Sequence, residues 1–215
     1  MAFEENMPIW SSRASLIEGL SMIKDAALLM IIAALLISFT KFSVLPLAFA
    51  PHNIRDPLTA FSSITTIILI LVGAVIALLG VLEKLVPGAS SLASYSNRYS
   101  TAASLIKTGY LGGLIAIIFG IFTLFILVGI VLLLVGLILL FIGKIGLIIL
   151  MFSLNDEFQE SKILLAGILF ILGIFVSILD IIAWILVYLG ASELIERIRS
   201  TRIWKREIPP PYPPL

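Results

Sequence analysis

Residues 108–153 read TGYLGGLIAIIFGIFTLFILVGIVLLLVGLILLFIGKIGLIILMFS, and Lys144 is the one charge among them. As a single helix this stretch would be about 69 Å long, more than twice the roughly 30 Å hydrocarbon core of a bilayer. It must therefore fold back on itself. No polar turn marks the bend, so the reversal is placed near Phe125 to Val131, with Gly129 as the turn residue. This gives spans over 105–126 and 130–152.

The rest of the chain reads in the same terms. A first span covers 22–41, with Lys24 and Asp25 snorkelling at one end and Lys41 at the other. It follows an N-terminal amphipathic segment, 1–21, and reads as a retained helix that serves as its own insertion signal. A second span covers 61–81. Pro87 to Ser104, small, polar and opened by Pro-Gly, reads as the one real loop. After the central hairpin, NDEFQESK (Asn155 to Lys162) reads as a short solvated acidic connection, and 163–189 as a single fifth span. A basic interfacial helix, 191–207, and a proline-rich tail, 208–215, complete the chain. The expected fold is all-α, a polytopic transmembrane bundle of five spans, with four or six as the alternatives.

Composition supports this class. The chain has 215 residues, of which 60% are hydrophobic and 13% charged, with a mean hydropathy of +1.19. A soluble domain carries roughly a quarter charged residues. Soluble enzymes, nucleic-acid binders and disordered chains are excluded on this ground. There is no cysteine, and His52 is the sole histidine. Thiolate chemistry, iron–sulfur clusters and multi-histidine metal sites are excluded with them, and no cofactor is expected.

Five spans place the two ends of the chain on opposite sides of the membrane. Arg197, Arg199, Arg202, Lys205 and Arg206 form the densest basic cluster, which positive-inside assigns to the cytoplasm of a cell membrane. The same residues, backed by Leu194, Ile198, Ile203 and Trp204, suit anionic lipid headgroups. The acidic connection then faces out.

Gly129, Gly136 and Gly143 recur every seven residues, as do Gly113 and Gly120. That period returns to one helix face, where small residues let backbones approach closely. The two central spans are expected to pair glycine face to glycine face, with an interface between subunits as the alternative.

Asp180 is the one acid well inside a span. Gly173, Ser177, Trp184 and Tyr188 share its stripe on a continuous helix, and the last three can donate hydrogen bonds. The stripe reads first as a structural acid satisfied by neighbouring donors and second as a proton or cation site. Lys144, about 12 Å away in depth on this reading, is expected to snorkel outward rather than pair with it. Pro209, Pro210 and Tyr212 lie in a PPxY pattern of the kind WW domains read, and make the tail a docking candidate beside its plainer reading as an exposed segment. No GxSxG, Walker loop or HExxH occurs, so no enzyme is expected.

GLSMIKDAALLMI (from Gly19), IKTGYLGGLIAIIFGIF (from Ile106), GLILLFIGKIGLIIL (from Gly136) and YLGASELIERI (from Tyr188) resemble the uncharacterised archaeal multi-pass membrane proteins grouped as a domain-of-unknown-function family. The resemblance implies a helical bundle and carries no activity. The expected role is a structural or accessory membrane protein, a scaffold or assembly subunit, with membrane lipids, further copies of itself or other membrane subunits as partners and no nucleic acid. The alternative is a small channel or transporter with a proton or cation site at Asp180.

Overall fold

The computed structural model describes the backbone of residues 9–49, 57–125 and 127–207, and side chains within 13–40, 63–125 and 127–200. These residues are almost entirely helical: α1 (Ile9–Phe49), α2 (Pro57–Leu79), α3 (Val86–Tyr95), α4 (Ser100–Phe122), α5 (Leu127–Phe158), α6 (Ser161–Leu172) and α7 (Ser177–Glu207). Five helical segments are long and apolar enough to cross a membrane: 13–40, 63–95, 97–122, 127–158 and 177–200. The fold is an all-α bundle, and by length and composition its long helices are those of a multi-pass protein.

Backbone hydrogen bonds cannot be left open in lipid, so segments this apolar close them internally as helices. The same pressure removes the loop expected over 87–104. A π-helical turn, Gly80–Leu85, joins α2 to α3 and carries the helix through Pro87. Proline tolerates the first turn of a helix, where its missing N–H is not needed. Only Ser96, extended at φ −149°, and a 3-10 turn at Asn97–Tyr99 separate α3 from α4. The N-terminal segment is likewise no separate element. From Ile9 onward it is continuous with α1, and Leu16 and Leu20 are buried in the core.

The hairpin of α4 and α5 forms as its length requires, but its turn is Thr123–Phe125, and Gly129 lies inside α5. No described glycine has positive φ. Gly129 is needed for closeness instead, since a Cβ there would stand 2.4 Å from the Thr123 carbonyl oxygen. Along the same hairpin a Cβ on Gly109 would stand 2.2 Å from the Gly143 nitrogen. A Cβ on Gly113 or on Gly136 would stand 3.0 Å from the other's carbonyl oxygen, and one on Gly120 would meet Leu133 at 2.9 Å. The glycine faces of α4 and α5 therefore meet each other within one chain. Gly19 and Gly88 play the same part between α1 and α3.

The largest departure is the fifth span. Residues 163–189 do not form one helix. The chain leaves α6 at Leu172, turns through Gly173–Phe175 and starts α7 at Ser177. Gly190 packs on Ile163, Trp184 on Phe170 and Asp180 on Gly173, so α6 and α7 run antiparallel. At about 18 Å, α6 is too short to cross a bilayer. The basic segment at 191–207 is the continuation of α7 and not an independent helix.

This hairpin reorganises the ends of the molecule. Arg197 of α7 reaches Glu160 of the acidic connection at 3.0 Å, and Lys162 pairs with Glu193. The hydrogen bond from Lys162 to Glu193 and the nearby negative charge hold the ammonium above the ordinary lysine range. Arg98 meets Asp156 at 2.7 Å, and both Tyr95 and Tyr99 donate to Glu157. Acidic connection and basic segment therefore share one polar end, where opposite sides of a membrane were expected. The connection is also not a free solvated loop, because Glu160 is 4% exposed. Below this end the core is built on Leu20, Leu85, Tyr99, Ile106, Leu150 and Phe170. The α4–α5 tip at the opposite end and the shorter α6–α7 tip partway down both turn apolar side chains outward: Phe125 is 97% and Phe175 82% exposed. Lipid tails are as apolar as these side chains, so such exposure suits a bilayer.

Candidate functional site

The turn between α6 and α7 sets the site. Gly173 N–H still donates to Leu169 O, but Phe175 and Val176 both donate to Leu172 O, and the helix ends. The chain reverses and Asp180 falls in the first turn of α7. A carboxylate is favoured there by the helix dipole and its open N–H groups. Gly173 leaves the room. A Cβ at that position would stand 3.1 Å from both the Asp180 nitrogen and its Oδ1.

Lys144 reaches across from the middle of α5, and its Nζ donates to Asp180 Oδ1 at 2.6 Å. The expectation that Lys144 snorkels outward, away from Asp180, is therefore overturned. It assumed a straight fifth span, which carries Asp180 past the depth of Lys144. The reversal at 173–176 brings it back. By helix rise the pair lies about 18 Å below the polar end at Asp156 and about 25 Å above the tip at Leu127. An unpaired charge at such depth costs about 2.5–3.5 kcal/mol on insertion scales. Each group offsets much of the other's cost.

The pair is not sealed. The Lys144 and Asp180 side chains are 23% and 34% exposed. They face an open cleft of about 360 Å³, lined also by Ala34, Ile37 and Ser38 of α1 and by Gly173, Ser177 and Ile181. Two hydroxyls, one ammonium and one carboxylate thus line one opening amid apolar walls. Tyr110 of α4 is a further titratable group within electrostatic reach of Asp180. Among the described residues no cluster of histidine or acidic side chains could hold a metal ion.

Of the stripe expected around Asp180, Ser177 shares the cleft and the aromatic residues do not. Trp184 is buried edge-on against Phe170, with ring centroids 4.9 Å apart at 74°. Tyr188 packs against the core, and its carbonyl accepts from Ser192. The turn removes Gly173 from the helix that carries the stripe. Ser38 and the pairing with Lys144 were missed. Two signals were available: Lys144 and Asp180 are deep charges of opposite sign, and Gly-Ile-Phe recurs, closing α4 at 120–122 and forming the α6–α7 turn at 173–175.

Among the headgroup candidates, Arg197 is held by Glu160 and Glu193, while Arg199 is exposed. Arg202, Lys205 and Arg206 lie in α7 with side chains outside the described residues, and Pro209, Pro210 and Tyr212 lie outside them altogether.

A sequence profile for proteins of unknown function, DUF973, matches residues 16–214. The chain belongs to this family. The DUF973 match runs from within α1 to beyond α7 and takes in both halves of the charged cleft. No curated protein and no solved structure matches the chain. Membership in DUF973 fixes no activity, so function rests on the cleft.

Proposed function

We propose that this protein is a small membrane transporter whose working site is the Lys144–Asp180 pair. One observation carries the reading: the pair opens onto a cleft midway along the apolar helices instead of lying sealed between them. A sealed pair would only fasten α5 to α7. An open one can exchange a proton or an ion, and a partner ion that binds either charge releases the other. The competing scaffold reading rests on scarce intramembrane polarity, glycine packing faces and a docking-like tail; of these, Gly109, Gly113, Gly136 and Gly143 are engaged within the α4–α5 hairpin.

The test is an external acid step on proteoliposomes in sodium chloride, with a pH dye inside. Wild-type protein should speed acidification over protein-free vesicles, and Asp180→Asn should abolish the gain. Equal rates for the two proteins would overturn the reading.

A further inference from the structure

Charge balance at the cleft points further, resting on the transport reading. At rest the pair sums to zero: one ammonium, one carboxylate, 2.6 Å apart. Its apolar surroundings penalise any state that leaves a net charge. Suppose a proton from water binds Asp180. The hydrogen bond from Lys144 Nζ to Oδ1 breaks, the carboxyl is neutral, and Lys144 is left as an unpaired cation. Among the described residues the elements around the pair offer no second anion: α1 brings Ala34, Ile37 and Ser38, α4 brings Tyr110, and the α6–α7 turn and the start of α7 bring Gly173, Ser177 and Ile181. Neutrality returns when an external anion takes the place of the carboxylate beside Lys144, or when Lys144 gives up its own proton.

We infer that the substrate is a small anion carried together with one proton. The anion sits against the Lys144 ammonium with the Ser38 and Ser177 hydroxyls as donors, while Asp180 holds the proton. The loaded site, ammonium plus anion plus neutral carboxyl, again sums to zero, so loading is electroneutral at one proton per single negative charge. A cation substrate keeps the balance only by displacing the Lys144 proton, so it would exchange against a proton instead of travelling with one. The cleft of about 360 Å³ accommodates a small anion with part of its hydration, each water taking about 30 Å³.

The experiment uses full-length protein in vesicles with a lumenal pH dye. Chloride, nitrate, phosphate and lactate are supplied outside in turn, as sodium and then as potassium salts, with and without valinomycin. Acidification should follow the anion, ignore the change of cation, and be unaltered by valinomycin. Asp180→Asn and Lys144→Met should abolish it. Ser177→Ala, which keeps the ion pair, should raise the half-saturating anion concentration by about tenfold, the scale of one lost hydrogen bond to a charge. Acidification that tracks the cation, or that needs valinomycin and no particular anion, would overturn the anion inference and leave transport standing. Absence of any Asp180-dependent acidification would overturn both.

Discussion

Lys144 Nζ lies 2.6 Å from Asp180 Oδ1 across 36 residues of sequence, and this contact exists because the chain turns back at Gly173. It links α5, the longer arm of the central hairpin, to the first turn of α7. Much of the molecule's intramembrane polarity is gathered at this one place.

Removing one member of the pair leaves the other uncompensated. Asp180→Asn and Lys144→Met are each expected to lower stability in detergent by about 1–3 kcal/mol, below the full cost of a buried pair because both groups are partly exposed. A Lys144→Met/Asp180→Leu double variant removes both charges and should recover most of the loss while staying inactive. Thermal unfolding beside transport assays separates the two effects, and equal instability of single and double variants would argue against a charge-pair origin.

The α6–α7 hairpin makes a topological statement. Arg197 touches Glu160, so residues 159 and 200 should lie on the same side of the membrane. The chain is free of cysteine, so single cysteines at Gln159 and Ser200 report sidedness directly. An impermeant maleimide should label both from one face of the membrane. Labelling from opposite faces would restore a straight fifth span.

The sequence carried the helical class and the central hairpin, because length and apolarity alone force them. It also carried the glycine faces, whose period of seven survives in Gly136 and Gly143. The turns were harder. In lipid a reversal needs no polar residues, so GIFTLF and GIFVS read as uninterrupted span, while Pro87-Gly88, the usual loop signal, lies inside a helix. One hidden reversal displaced everything beyond it. The depth of Asp180, its partner, the side on which the basic segment lies and the role of Trp184 all follow from that turn.

Glycine closeness is testable by contrast. Gly109→Ala would place a methyl 2.2 Å from the Gly143 nitrogen, while a Cβ on Gly112 meets only Leu139 at 3.4 Å. The first is expected to cost about 1–3 kcal/mol or more by forcing α4 from α5. The second should be neutral, or stabilising by up to about 1 kcal/mol through helix propensity. Melting temperatures of the two variants in detergent decide this, and similar shifts would count against the close hairpin.

At the polar end, burial decides which contacts matter. Tyr99 is fully buried and donates to Glu157, whereas Arg98 and Asp156 are 46% and 61% exposed. Tyr99→Phe should cost about 1–2 kcal/mol, and Arg98→Ala less than about 1 kcal/mol. Denaturant titration in mild detergent should rank them in that order.

Access to the charged cleft is the most direct test. Ser177 lines it, whereas Ile178, one residue on and 61% exposed, belongs to the apolar exterior. In the cysteine-free chain, Ser177→Cys and Ile178→Cys differ in surroundings and hardly in depth. A charged methanethiosulfonate added to protein in vesicles should modify Ser177→Cys and leave Ile178→Cys unreacted. Failure of Ser177→Cys to react, or equal reaction at both positions, would contradict an aqueous site at Lys144 and Asp180.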